Sequence, residues 1–180
     1  MGESSYNPGG HPDGYDFSQA TINLAADAIG WDQGHGYRNK SRFYSRIVRI
    51  FGFNPNHFTS RHEFWNSVSY YNYLQTTFLA ARVLPPAEAW NAARDPFIET
   101  ASELRPDYII IFSKRMWPYL PRTSEAEIPN PHGVFARYAT VEYPKQPTAM
   151  LFGFKHPTAP RFRWQDVKSV LDQHIKFHEA

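Results

Sequence analysis

Apolar side chains recur at helical spacing in three stretches of the chain. In residues 41–51, Phe43, Ile47, Ile50 and Phe51 fall on one face. Arg42, Arg46 and Arg49, spaced i, i+4 and i+7, fall opposite, which predicts an amphipathic helix. After Pro85 and Pro86, the positions Trp90, Ala93, Phe97, Ala101 and Leu104 trace a second helical face, with Asp95-Pro96 predicting a kink or restart. Residues 166–177 give a third, with Val167, Val170, Leu171 and Ile175 inward. A weaker pattern predicts a helix over residues 18–29 behind a cap-like Ser18. Elsewhere the pattern shortens. Residues 108–113 (YIIIFS) and 149–154 (AMLFGF) are continuous apolar runs of strand length, the signature of strands buried on both faces of a parallel sheet. The β-branched and aromatic stretch around residues 68–71 predicts a strand, and residues 135–143 a strand or edge segment. Residues 114–120 read as a short helix stopped by Pro121, and residues 121–133 (PRTSEAEIPNPHG) as a loop. The order predicts an α/β domain spanning residues 1–180, three-layer α/β/α with a small, mainly parallel central sheet. In such sheets ligands bind beyond the carboxyl ends of the strands. Polar clusters follow apolar segments at Asn72-Tyr73, Ser113-Lys114 and His156-Pro157-Thr158.

Composition narrows the chemistry. The absence of cysteine excludes a disulfide framework, a Cys-ligated zinc, an iron–sulfur cluster and a thiol nucleophile. No apolar run reaches the roughly 20 residues of a membrane helix, and the start MGESSYNPGG has no signal-peptide pattern, so a cytoplasmic protein without a membrane partner is expected. A net charge of +2 does not by itself imply a polyanion partner. The basic residues are clustered, however, at 40–49, at 114–115 and at 155–168, and together they permit one positive surface. His174 and His178 have metal-compatible i, i+4 spacing but no evident third ligand. No phosphate-binding glycine loop and no Gly-x-Ser-x-Gly elbow is present. No cofactor is expected.

The segments GESSYNPGG at 2–10, YYNYLQ at 70–75, LRPDYIIIFSKRMW at 104–117 and HPTAPRF at 156–162 occur in an order that resembles the uracil-DNA glycosylase superfamily. The resemblance implies a water-handling acid in the first motif, a base-reading Asn on a middle strand and a leaving-group His in a late His-Pro-Ser/Thr loop. Carried over, these are Glu3, Asn72 and His156, the last followed by Pro157 and Thr158. Phe43 corresponds to the aromatic that stacks on an extruded base. Pro160 and Arg161 lie where related proteins wedge the duplex. The first motif here reads Gly-Glu-Ser-Ser-Tyr and the chain has no cysteine, which departs from the iron–sulfur branch. The resemblance further implies an apolar strand before the first motif, expected upstream of Met1.

The implied reaction releases uracil or a related damaged base from single- or double-stranded DNA, acting as a monomer on an extruded base. Cleaving the N-glycosidic bond develops positive charge on the sugar and negative charge on the base, so the site needs an anion near one and donors near the other. Glu3 would hold the water and oppose the oxocarbenium charge. His156 would donate to the departing base, with Thr158 beside it. Asn72 has the donors and acceptor that match uracil at O4 and N3–H. Arg42, Arg46, Arg49, Arg161 and Arg163 would hold phosphates. Each has a plainer alternative: terminal carboxylate, buried amide, turn histidine, core aromatic, solvated helix face. Two rival functions stay open at this level, a non-catalytic base-, nucleotide- or DNA-binding module and a glycosidase acting on free nucleosides.

Overall fold

The computed structural model describes residues 5–6, 42–74, 77–78, 84–130, 135–143 and 146–175. The helix expected at 18–29 and the candidate Glu3 lie outside the described residues.

The first amphipathic pattern folds as α1 (Arg42–Ile50), with Ile47, Val48 and Ile50 buried. A second helix, α2 (Phe58–Asn66), follows and buries Phe64 and Trp65. The strand expected around residues 68–71 is absent. Residues 67–68 bend, 69–71 make no ladder, and only Asn72 forms a bridge. A short strand β1 (Ser5–Tyr6) pairs in parallel with β2 (Thr77–Phe78). The long helical stretch is two helices, α3 (Ala87–Ala92) and α4 (Arg94–Leu104), broken at Ala93. Pro96 sits in the first turn of α4, where its missing N–H has no helical partner to lose. Arg105 closes α4 with φ 49, its N–H bonded to the Ala101 carbonyl, and Pro106 prevents continuation.

The main sheet has the order β3-β6-β5-β4, formed by β3 (Tyr108–Phe112), β4 (Thr123–Glu127), β5 (Ala136–Tyr143) and β6 (Gln146–Phe154). Only β3 and β6 are parallel; β4–β5 and β5–β6 are antiparallel. The expectation of a mainly parallel sheet is therefore corrected to a mixed, mostly antiparallel one. The reason is connection length. Two residues separate β5 from β6 and eight separate β4 from β5, whereas a parallel crossover needs a dozen or more. The segment expected as a loop at 121–133 contains β4, and the helix expected at 114–120 is a turn followed by a single 3-10 turn, Trp117–Tyr119.

Alternate strand residues enter two cores. Phe112, Phe152, Phe154 and Ala136 pack with α1, α2 and the last helix, α5 (Trp164–His174). Ile111, Leu151, Ala139, Val141 and Ala149 pack with Tyr73, Leu74, α3, α4 and Trp117. This period of two places helices on both faces of the sheet.

Candidate active site

Because β3 and β6 are parallel, with Phe112 opposite Phe154, both strands end at the same edge. Two of the three sequence-predicted polar clusters begin there. Ser113 is buried, and its Oγ accepts the Met116 N–H at 3.0 Å, which turns the chain away. Lys155 and His156 lead β6 into a loop that reaches α5 at Trp164.

That loop is built from two successive turns, closed by the Ala159 N–H on the His156 carbonyl (2.8 Å) and the Phe162 N–H on the Ala159 carbonyl (3.2 Å). Pro157 and Phe162 are buried and anchor it, while Thr158, Pro160 and Arg161 are exposed. In the second turn Pro160 takes the corner and Arg161 follows with φ 60, the arrangement that favours glycine or asparagine at the second place. A left-handed Arg costs roughly 1–2 kcal/mol, and it holds the Arg161 side chain at the tip.

Thr158 holds His156 at Nδ1. The Thr158 N–H donates to Nδ1 at 3.2 Å, and Thr158 Oγ1 lies 2.8 Å from the same atom. A backbone N–H can only donate, so Nδ1 is the acceptor, and the neutral ring carries its proton on Nε2.

Helix α1 supplies the wall beside this histidine. The Phe43 ring lies 4.9 Å from the His156 ring, centre to centre, at 32°. One turn on, Arg46 donates through Nη1 to the Pro157 carbonyl and lies 5.7 Å over the Phe162 ring. The three arginines of α1, DNA-contact candidates from the sequence, are therefore not equivalent. Arg42 is exposed, Arg49 is half-buried, and Arg46 is turned inward onto the His156 loop. Arg163, expected as a DNA contact, is exposed but 3.7 Å from the buried Asp166 carboxylate at the start of α5.

Asn72 is buried and tied into the same aromatic wall. Its Oδ1 accepts the Tyr70 hydroxyl at 3.0 Å, which defines the acceptor end of the amide. Tyr70 packs on Tyr44 (6.0 Å), which in turn meets Phe43 (5.1 Å). Burial, with a smaller contribution from Tyr44, pushes the Tyr70 phenol well above its usual pKa, so it remains a donor at neutral pH. Sequence reasoning missed Tyr70, although the i, i+2 spacing of Tyr70 and Asn72 in extended chain puts both on one side. It also missed the role of Arg46, for which the sequence carries no signal beyond its i+3 distance from Phe43.

A cavity of about 420 Å³ lies along β3, and Tyr70, which holds Asn72, is part of its lining. Its lining includes Tyr108, Ile109 and Leu104 but none of the sequence-predicted site residues. It is mostly apolar, with hydroxyl groups from Ser67, Ser69, Tyr70, Tyr71, Thr100 and Tyr108. Among the described residues no cluster of His, Asp and Glu could hold a metal ion. His174 Nδ1 is engaged with the Val170 carbonyl at 2.8 Å, and His178 lies outside the described residues. No described helix is long and apolar enough to cross a membrane. Compared with family models, with curated proteins and with solved structures, the chain matches none.

Proposed function

We propose that the protein is a metal-free, monofunctional DNA glycosylase of the uracil-DNA glycosylase type, built on a three-layer domain and releasing uracil or a related base. The observation that carries this reading is the His156 loop. Its imidazole is oriented through Nδ1 by Thr158, so in this reading the Nε2–H is the group that donates to the departing base carbonyl. A positioned donor at developing negative charge is worth about 10²–10³ in rate. In this reading Asn72 pairs with the base edge and Phe43 stacks against it, worth about 1–3 kcal/mol. Glu3 holds the water. The exposed Arg42 and the tip residues Pro160 and Arg161 meet the DNA, with Arg49 and Arg163 behind them. The base must leave the stack, which costs a few kcal/mol and is cheapest in single strands or mismatches.

The test is incubation with single- and double-stranded uracil oligonucleotides, followed by alkali to cut abasic sites. Cleavage by the protein, reduced 100-fold or more in His156→Ala, is expected. No cleavage across uracil, hypoxanthine and thymine-mismatch substrates would overturn the enzyme reading.

One observation favours a second reading, a binding module without chemistry. Asn72 is 4% exposed with its amide oxygen engaged by Tyr70, and the Phe43 ring already lies against His156. Salt-dependent DNA binding without abasic sites would favour it.

A further inference from the structure

One peptide group in the His156 loop is held at both ends. The carbonyl of Pro157 accepts from the Arg46 guanidinium, and the N–H of the same peptide unit, that of Thr158, donates to His156 Nδ1. A trans peptide is planar, with its C=O and N–H pointing in opposite directions. Fixing the oxygen therefore fixes where the N–H points. A guanidinium on the carbonyl also polarises the unit and strengthens its N–H as a donor. The guanidinium spans the loop as well, since it lies over Phe162 at 5.7 Å. Phe162 is buried, and Pro157 is buried too, so Arg46 joins the two anchored ends of the loop whose tip is Pro160 and Arg161.

We infer that Arg46 is a positioning residue. Through the Pro157–Thr158 peptide it selects the His156 tautomer that carries the proton on Nε2, and it is not one of the phosphate contacts of α1. The consequence for the reaction rests on the glycosylase reading above; the tautomer assignment does not. A lysine would keep the charge but would lack the planar fork that both reaches the carbonyl and stacks on Phe162.

The experiment is nitrogen-15 NMR of the His156 ring in the full chain, wild type, Arg46→Met and Arg46→Lys, at a pH where the ring is neutral. Thermal unfolding of each variant is run alongside. Wild type is expected to show a single Nε2–H tautomer, and Arg46→Met a mixture with Nδ1–H. Arg46→Met keeps an apolar stem over Phe162, and Arg46→Lys is a second variant if the first folds poorly. An unchanged tautomer in a folded Arg46 variant overturns the inference. Glycosylase assays and DNA titrations in increasing salt complete the test. Uracil release is expected to fall at least tenfold in Arg46→Met, with the salt slope of DNA binding unchanged. A residue that contacts phosphate would instead lower that slope by about one; such a drop overturns the inference. Should wild type release no uracil while its tautomer depends on Arg46, the glycosylase reading falls and the positioning role stands.

Discussion

Glu125 shows how one side chain can tie three elements together from an exposed strand. Its carboxylate accepts the Trp117 indole N–H at 2.7 Å and Arg122 Nε at 2.8 Å, and it also binds Arg137 across the β4–β5 pair. Desolvation acts to raise its pKa, but the three donors outweigh it and hold the carboxyl down at about 2, against an ordinary 4.5. A depressed carboxyl contributes stability above its unfolded pKa and loses it as pH falls through the folded value. Stability is therefore expected to decline between about pH 4.5 and 2. In Glu125→Gln that part of the decline should flatten, as read by urea unfolding at several pH values. A parallel decline in both proteins would mean the network does not hold the carboxyl. At this scale the sequence was only partly legible. Histidine before Pro-Thr marked His156 as a candidate, and the structure sets it beside Phe43 in the loop that Arg46 holds. That Arg46 faces the loop and Tyr70 holds Asn72 depends on contacts between residues far apart or on backbone direction, and pattern reading does not reach these.

At the scale of elements, Gly153 decides how β6 meets the second core. A Cβ placed there would lie 2.3 and 2.4 Å from the Cε3 and Cζ3 atoms of Trp117. The ring cannot easily retreat, because it is buried, bonded to Glu125 and covered by the Arg122 guanidinium at 5.5 Å. Gly153→Ala should therefore cost about 1–3 kcal/mol, the usual range for overpacking, seen as a lower urea midpoint. An unchanged midpoint would show that Trp117 has room to move. Elements with an apolar period were legible: α1, α4, α5, β3 and β6 all stand close to where the pattern put them. β4 was not, because Thr-Ser-Glu-Ala-Glu is an edge strand with most of its residues exposed, and edge strands carry charge rather than an apolar period. The aromatic run around residue 70 failed in the other direction. Tyr70 and Tyr71 pack on Trp65 and Phe97 as bulky core groups, not as members of a ladder.

At the scale of the molecule, one feature of β3 connects fold and sequence. Tyr-Ile-Ile-Ile-Phe is apolar on both sides, as central strands are, yet only its last two residues are buried. No described strand of the main sheet lies beyond it. The 420 Å³ cavity reaches β3 from both faces, touching Phe64 and Ile175 of one core and Phe97 and Ala101 of the other. A cavity that meets both cores must straddle a sheet edge. β6 is paired on both sides, whereas β3, among the described residues, is paired only with β6, so amide exchange is expected to be faster along Tyr108–Ile110 than along Met150–Phe152. Equal protection of the two strands would mean that the outer side of β3 is covered as well as β6 is.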